Sequence, residues 1–187
     1  MEAVERTAAY KLLSMAISYP EREVAEALES RWLFFQLRSL LSRYDDLLLL
    51  IRRAEEEYSN VQDLQVNYTT NFDLRIPLYE SHYVVKSDRS EEKGRFLFEL
   101  EKFYLDCGVE LADRDMPDFI GTELEFMHYL CSENQVEKQR RFLEDHLLNW
   151  VPLLFKRVEG EGVRFYQHVI KLIDRFLAID HGFFHEV

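Results

Sequence analysis

The stretch Asp113–Cys131, DRDMPDFIGTELEFMHYLC, decides the fold because it combines a helix start with a broad apolar face. Pro117 suits the first turn of a helix, where the missing N–H of proline costs nothing. Asp115 and Asp118 place negative charge beside the positive end of the helix dipole. At about 100° per residue, one face carries Phe119, Ile120, Leu124, Phe126, Met127, Leu130 and Cys131. So wide an apolar arc predicts a helix packed against several neighbours.

Glu123 falls in the middle of this apolar arc. A buried carboxylate must find a hydrogen-bond donor, take up a proton or lie at an opening in the core. We expect the donor to be the hydroxyl of Tyr68 or Tyr83, or a backbone N–H of segment 73–85. Glu123 then ties that segment to the central helix and affects binding indirectly. The alternative is a carboxylate that faces a ligand.

The composition predicts one acidic, folded domain. At 187 residues the chain is long enough for a sizeable core, and we expect a single domain over residues 1–187. The content of 47 % hydrophobic and 14 % aromatic residues excludes a disordered chain. The formal charge of −12 argues against nucleic acid and anionic lipid as partners. A basic peptide or protein is the more compatible partner.

Helical periodicity recurs along the rest of the chain. The 6 Gly and 4 Pro impose few breaks, although Pro152 should kink or divide a helix. Residues 31–41 favour a short buried helix, with a strand as the alternative. The other expected helices cover residues 4–18, 21–30, 45–58, 61–72, 90–107, 117–131, 137–150 and 164–179. The sequence therefore predicts an all-α, single-domain helical bundle of about eight to eleven helices.

Segment 73–85, DLRIPLYESHYVV, interrupts the helical pattern. Pro77 disfavours a helical conformation at Ile76, so we expect a loop or an extended segment. The segment is rich in apolar and aromatic residues rather than in Gly, Ser and Asn. Such a loop must either pack against the body of the protein as a connection or form part of a binding surface.

No catalytic motif is recognisable. A GxxxxGK[ST] phosphate loop and a GxSxG elbow are absent, and Cys107 and Cys131 form no CxxC pair, so we expect reduced, buried thiols. His181 and His185 have a helical metal-ligand spacing, but a closed metal site usually needs four ligands. His146 lacks an orienting partner motif and is interpreted as a core or interface histidine. We therefore expect no enzyme, no cofactor and no metal.

The sequence also predicts a cytoplasmic location. The N-terminus, MEAVER, carries an acid at position 2, and no uninterrupted apolar core of a secretory signal follows it. The longest strongly apolar runs, such as Leu47–Ile51, are too short to span a bilayer. We therefore expect no direct membrane insertion.

Three stretches, in this order, resemble the TorD/DmsD/NarJ family of redox enzyme maturation chaperones. NYTTNFDLRIPLYESHYVV, from Asn67, is similar to a family segment with a Tyr-containing helix, a turn, a Pro and an S-x-Y element. MPDFIGTELEFMHYL, from Met116, is similar to the signature P-D-H-x-x-x-E-L-x-F-M, with Phe119 where many members carry His. FLEDHLLNWVPLLFKRV, from Phe142, and the following FYQHVIKLIDRFLAID are similar to the closing region F-x-x-x-H-L-x-x-W. The FDL turn lacks the Gly-Pro form, which points away from the TorD and DmsD branches.

The resemblance implies a cytoplasmic chaperone that binds the N-terminal leader, often twin-arginine, of a molybdopterin oxidoreductase. It would hold the catalytic subunit until the cofactor is inserted, acting as a monomer or homodimer. Residues 110–125 contain six acids and one base, which suits paired arginines, and segment 73–85 suits the apolar stretch that follows them. Matching motifs carry over the peptide-binding residues Tyr68, Phe72, Leu74, Pro77, Tyr79, Ser81, Tyr83, Asp118, Phe119 and Glu123.

Two other functions remain open at this point. One is a helical adaptor subunit that stays in a stable complex with an oxidoreductase. The other is a small nucleotide hydrolase, because weak guanine-nucleotide binding is associated with some family members; the missing phosphate loop counts against it. Individual residues also have simpler interpretations, Tyr68 and Phe72 as core and Asp118 as a helix cap.

Overall fold

The computed structural model describes residues 2–86, 89–112 and 116–186, except the side chains of residues 185 and 186. Within these ranges the chain is helical, without a strand, so the predicted all-α fold is confirmed. The helices are α1 (Ala3–Ile17), α2 (Arg22–Glu29), α3 (Trp32–Leu40), α4 (Asp45–Glu57), α5 (Val61–Tyr68), α6 (Ser81–Val84), α7 (Ser90–Asp106), α8 (Ile120–Ser132), α9 (Val136–Phe142), α10 (Leu148–Val158) and α11 (Arg164–Glu186). The π-helical turns Thr69–Asp73 and Leu143–Leu147 continue α5 and α9. Since α3 is helical, a strand over residues 31–41 is excluded.

The apolar arc of α8 is buried as predicted. Ile120, Leu124, Met127 and Leu130 are completely inaccessible to solvent. α1 packs along α8, and α9 packs against it from another side. The other half of the bundle consists of α4 and α10, both packed against the long α11. α8 therefore supports the surface on which the site is built.

The start of α8 differs from the prediction. The helix begins at Ile120, so the expectation that Pro117 lies in its first turn is wrong. Pro117 and Asp118 form a turn, and Phe119 has the extended angles φ −77° and ψ 133°. These residues stay outside the helix because their backbone bonds to segment 73–85 instead. Asp115 lies outside the described residues.

Segment 73–85 is partly helical. The expected loop is present over residues 74–80, but Ser81–Val84 forms the single turn α6, which the sequence analysis missed. A carboxylate from elsewhere in the chain supports this turn, since Oδ2 of Asp118 accepts the backbone N–H of Ser81 at 3.2 Å. Asp118 therefore stabilises the start of α6, in the way that an N-cap residue does.

Pro152 lies inside α10, so of the two predicted outcomes, a kink or a division, the division is wrong. Helical structure continues from α9 through the π turn Leu143–Leu147 into α10. A π turn and a proline both leave backbone carbonyls without their usual partners. The Asn149 side chain compensates in the π turn, because its Nδ2 donates to the carbonyls of Glu144 and Asp145 at 3.0 and 2.8 Å.

A buried polar network joins the first helix to the last. Arg6 and Asp180 form a two-pronged ion pair, with Nε–Oδ1 and Nη2–Oδ2 distances of 2.5 and 2.9 Å. The Tyr10 hydroxyl donates to the same carboxylate at 2.7 Å, and Nη1 of Arg6 donates to Gln139 at 2.8 Å. Arg6 and Asp180 are 2 % and 1 % exposed, so this network closes α1, α9 and α11 on one another.

Cys107 and Cys131 are free and buried, as the sequence predicts. Burial raises the pKa of the Cys131 thiol to about 12. A thiol with so high a pKa stays protonated, and the protonated form is a poor nucleophile and a poor metal ligand. Both cysteines therefore act as small apolar core residues.

Candidate functional site

Segment 73–85 is fastened to the start of α8 by backbone hydrogen bonds. Tyr79 and Phe119 form an isolated antiparallel β-bridge, and their rings lie 5.8 Å apart. The flanking bonds run from the N–H of Glu80 to the carbonyl of Asp118, at 2.8 Å, and from the N–H of Ile120 to the carbonyl of Leu78, at 3.0 Å. These contacts unite the two motifs that the sequence analysis singled out into one surface.

Segment 73–85 buries one side and exposes the other. Ile76 and Leu78 are buried, whereas Leu74 is 77 % exposed. Pro77 and Tyr79 are half-buried between these extremes. An exposed leucine beside a proline and a tyrosine forms an apolar surface with a polar tip. Such a surface suits contact with an apolar peptide.

Tyr83 contacts both its own segment, 73–85, and the helical bundle. Its hydroxyl donates to the Pro77 carbonyl at 2.9 Å, and its ring stacks on the Trp150 indole at a centroid distance of 5.5 Å. Partial burial raises the pKa of Tyr83 to about 12, so the hydroxyl remains a donor at neutral pH. Tyr83 therefore holds the segment in shape while part of its side chain stays exposed.

Tyr68 and Phe72 form the aromatic layer behind the segment. They are 5 % and 4 % exposed, and each packs edge-on against Tyr166, at 5.3 and 5.1 Å between centroids. Burial raises the pKa of Tyr68. Most of this layer is core, although an edge of Phe72 reaches the neighbouring cleft.

A cleft of about 380 Å³ opens between the π turn that follows α5 and segment 73–85. Its lining consists of Phe72, Asp73, Leu74, Arg75, Pro77, Tyr79 and His82. Arg75 bonds Glu161 at 2.6 Å, whereas Asp73 is exposed beside the cleft. The volume lies in the usual range of ligand sites. The cleft therefore combines apolar side chains with an acid, a base and a histidine.

Three carboxyl groups converge beneath this surface. Glu80, Asp118 and Glu123 are at most 1 % exposed. Oε2 of Glu123 accepts the indole N–H of Trp150 at 2.9 Å. The expected donors for Glu123, a tyrosine hydroxyl or a backbone N–H of segment 73–85, are therefore wrong. Burial, and then the negative charge of Glu80, raises the pKa of Glu123 well above its ordinary value.

Glu80, His146 and Trp150 belong to the site but were not among the predicted binding residues. Nδ1 of His146 lies 2.9 and 3.2 Å from the two carboxylate oxygens of Glu80. His146 and Trp150 are four residues apart in EDHLLNW, a spacing that places both on one helix face. That spacing was the signal in the sequence that could have identified His146 and Trp150 together. Nothing in the sequence indicated that this face points at Glu80 and Glu123.

Gly121 makes room for Phe119 on α8. A Cβ at Gly121 would lie 2.5 Å from Cε1 of Phe119 and 3.2 Å from Oγ of Ser18. Phe119 contacts Tyr79 and also lines a second cavity, of about 510 Å³, between α1 and α8. The polar groups of this cavity include the carboxylates of Glu110 and Glu125 and the hydroxyls of Ser14, Ser18 and Thr122.

The acidic surface predicted for residues 110–125 is smaller than the sequence suggests. Asp113, Arg114 and Asp115 lie outside the described residues, and Asp118 and Glu123 are buried. Among the described acids of this stretch, Glu110 and Glu125 are exposed. Glu125 bonds the Lys11 ammonium at 2.6 Å. The two exposed carboxylates therefore lie at the second cavity.

The described residues contain no group of three or more His, Cys, Asp or Glu side chains arranged to hold a metal ion. His181 contacts the Glu144 carboxylate at 3.1 Å, and the side chain of His185 lies outside the described part of the chain. Across the described ranges, every helix is too short or too polar to cross a membrane.

A family model described as nitrate reductase delta subunit matches residues 34–156. The perchlorate reductase assembly chaperone protein of Dechloromonas aromatica (strain RCB) is 26 % identical, over 94 % of this chain and 88 % of that protein. The selenate reductase assembly chaperone protein of Thauera selenatis is 27 % identical, over 57 % and 63 %. The fold is similar to the crystal structure of a proposed redox enzyme maturation protein from Archaeoglobus fulgidus. That comparison has a TM-score of 0.61 and 20 % identity, over 92 % of this chain and 93 % of the other.

Proposed function

We propose that this chain, which belongs to the family of nitrate reductase delta subunits, is a cytoplasmic maturation chaperone dedicated to one oxidoreductase. It binds the N-terminal leader of the molybdopterin-containing catalytic subunit and holds that subunit until cofactor insertion. Assembly or export follows. The similarity to assembly chaperone proteins of perchlorate and selenate reductases supports this role. The chain acts by binding and not by catalysis.

The union of segment 73–85 with Phe119 carries the proposal. It produces an apolar surface whose exposed member is Leu74, with Pro77 and Tyr79 beside it. We assign the apolar part of the leader to this surface and to the adjoining cleft of about 380 Å³. A peptide that buries one side in such a cleft gains affinity from apolar area and specificity from the acid at its edge.

We assign the basic residues of the leader to the second cavity. Glu110 and Glu125 supply two exposed carboxylates there, and Phe119 offers a ring surface for a guanidinium. The bond between Glu125 and Lys11 connects half-exposed side chains, and such surface pairs contribute little stability. A guanidinium can therefore displace Lys11. Phe119 lines the second cavity and contacts Tyr79, which lines the cleft, so one leader can reach both.

The test is a binding titration with leader peptides of the molybdoenzymes encoded in the same genome. Fluorescence anisotropy of labelled peptides should give one peptide that binds at least tenfold more tightly than its scrambled version. Leu74→Ser should weaken this binding about tenfold, because it removes an apolar contact worth about 1–2 kcal/mol. Val66→Ser is the matched control, since Val66 is 67 % exposed on α5 and does not line the cleft.

Two outcomes would contradict the proposal. In the first, no leader peptide binds better than its scrambled version. In the second, Leu74→Ser and Val66→Ser have equal effects. A peptide with lysines in place of its arginines should bind more weakly, because an ammonium cannot form the two-pronged bond of a guanidinium. Added salt should weaken binding through the exposed carboxylates.

A second candidate function, a structural adaptor subunit, is favoured by a separate groove. Trp32 and Phe35 on α3 are 45 % and 60 % exposed, and they line a groove of about 740 Å³ with Met15 and Ala27. Exposed aromatic side chains are enriched at protein interfaces. Co-purification with the mature oxidoreductase would support an adaptor, whereas release after cofactor insertion would support a chaperone.

A further inference from the structure

Glu80 and Glu123 interact in the protein interior, where burial, then the negative charge of Glu80 and a hydrogen bond with it, raise the pKa of Glu123. Glu80 belongs to segment 73–85 and Glu123 to α8, and they are 1 % and 0 % exposed. Asp118, also buried, adds negative charge to the same region. Two adjacent buried carboxylates repel each other and lose their hydration, so the pair is stable with one proton between them.

The hydrogen bonds of the region show where that proton belongs. Oε2 of Glu123 accepts from Trp150, and no N–H or O–H of the described residues donates to Oε1. A protonated Glu123 needs an acceptor at that position, and the Glu80 carboxyl group provides one. Nδ1 of His146 approaches the same Glu80 carboxyl group at 2.9 Å. A proton on Glu123 therefore gives every group in this chain of contacts a partner.

The other groups around the pair are already engaged. The Tyr104 hydroxyl on α7 donates its hydrogen to the Pro117 carbonyl at 2.7 Å, so that hydrogen is not available to Glu123. Oδ2 of Asp118 accepts from the backbone of Ser81. Buried negative charge on Asp118 adds to that on Glu80 in favouring the protonated form of Glu123. None of these groups supplies a positive charge that would favour ionisation.

We infer that Glu80, Glu123, His146 and Trp150 form a proton-sharing latch that positions segment 73–85 for binding. Glu80 joins the segment to α8 through Glu123 and to the π turn Leu143–Leu147 through His146. Trp150 adds α10, because it bonds Glu123 and stacks on Tyr83 of the segment. These four are positioning residues, since they lie beneath the surface and act through the segment. The inference rests on the proposed function for its binding readout.

The test compares two replacements of Glu123 in the full chain. Glu123→Gln keeps an acceptor for Trp150 and an N–H donor for Glu80, so it imitates the protonated side chain. Glu123→Leu has a similar volume but neither group. The readouts are hydrogen–deuterium exchange of peptides from segment 73–85 in the free protein, and affinity for the leader peptide. Glu133→Gln at the end of α8 is the control, because its side chain is exposed and lies outside both the latch and the proposed binding surfaces.

Glu123→Gln should keep exchange and affinity within twofold of the wild type. Glu123→Leu should speed exchange across segment 73–85 at least tenfold and weaken peptide binding by a similar factor, with exchange in α4 unchanged. If Glu123→Leu leaves the segment as protected as in the wild type, the latch does not exist. If Glu123→Gln behaves like Glu123→Leu, the negative charge matters and the shared proton does not.

A second variant covers the case in which Glu123→Leu does not fold. Trp150→Phe keeps the ring stack on Tyr83 and removes the N–H that holds Glu123, so it should speed exchange in the segment by twofold to tenfold. Wild-type exchange in Trp150→Phe would contradict the latch. Exchange is measured without peptide, so failure of all leader peptides to bind would overturn the proposed function and leave the decision on the latch intact.

Discussion

The indole N–H of Trp150 and the carboxyl group of Glu123 form a 2.9 Å hydrogen bond inside the bundle. The two residues are 27 positions apart and belong to α10 and α8. Trp150 also supports Tyr83 through ring stacking, so one side chain serves the buried acid and segment 73–85 together. The site therefore depends on the closing region, which starts at Phe142, as much as on segment 73–85 and the start of α8.

Replacing Trp150 with Phe should lower the free energy of unfolding by about 1–3 kcal/mol, the usual cost of leaving a buried acceptor without its donor. Urea unfolding monitored by circular dichroism measures this change. Trp32→Phe is the control, because the side chain of Trp32 is 45 % exposed and its loss should cost less than about 0.5 kcal/mol. Equal losses in the two variants would argue against an energetic role for the bond.

Glu123 should make stability depend on pH. Its folded-state pKa is raised, chiefly by burial, whereas the unfolded chain loses this proton near pH 4.3. The contribution is therefore complete below the unfolded pKa and is lost as pH rises towards the folded pKa, by about 1.4 kcal/mol per pH unit for this one group. Glu123→Gln removes this titration.

The measurement for this prediction is the free energy of unfolding in urea at several pH values between about 5 and 8. The stability of Glu123→Gln relative to the wild type should increase steadily with pH. Glu125→Gln, with its exposed side chain, should run parallel to the wild type. A constant difference between Glu123→Gln and the wild type would mean that Glu123 is ionised throughout this range.

Gly121→Ala should destabilise the chain by about 1–3 kcal/mol and weaken leader binding. The new Cβ would lie 2.5 Å from Phe119, so the ring must leave its place beside Tyr79. Gly94→Ala on α7 is the matched control, since its Cβ would meet nothing within 4 Å. There alanine should stabilise the helix by up to about 1 kcal/mol. Thermal melting of both variants should show shifts of opposite sign.

Asp180→Asn should cost about 3–5 kcal/mol, because it leaves the buried Arg6 guanidinium without a compensating charge. The control is Glu26→Gln, which breaks the exposed 3.2 Å ion pair with Arg22. That loss should stay below about 1 kcal/mol. Chemical unfolding of the two variants checks the contrast, and a small effect of Asp180→Asn would show that the surrounding polar groups satisfy Arg6 alone.

The helical periodicity of apolar residues and the positions of helix-ending residues were enough to predict most helices. Both signals are local, because they depend on the spacing of neighbouring residues and on a few Gly, Pro and Asp residues. Gly108, with φ of +88°, follows α7 directly after the end of the predicted helix over residues 90–107. The sequence did not show that Pro152 would stay inside a continuous helix, in which the Asn149 side chain bonds the carbonyls of Glu144 and Asp145 in the preceding π turn. Sequence spacing carries no direct sign of such a turn.

The candidate site was predictable as two motifs but not as one surface. Tyr79 and Phe119 were each identified, whereas the β-bridge between them depends on how residues 73–85 cross the start of α8. Glu123 was recognised as an anomaly within an apolar face. Its partner could not be inferred, because the choice among tyrosine, backbone and Trp150 depends on which helices pack together.

The pairing of Arg6 with Asp180 also determines when during synthesis α1 and α11 can pack together. The partners are 174 residues apart, so at typical rates of synthesis Asp180 leaves the ribosome roughly 10–35 s after Arg6. During that delay the guanidinium must remain hydrated, and α1 cannot be sealed against α11. During this interval the nascent chain therefore has an open seam between α1 and α11. It is itself exposed to aggregation and proteolysis until Asp180 has been synthesised.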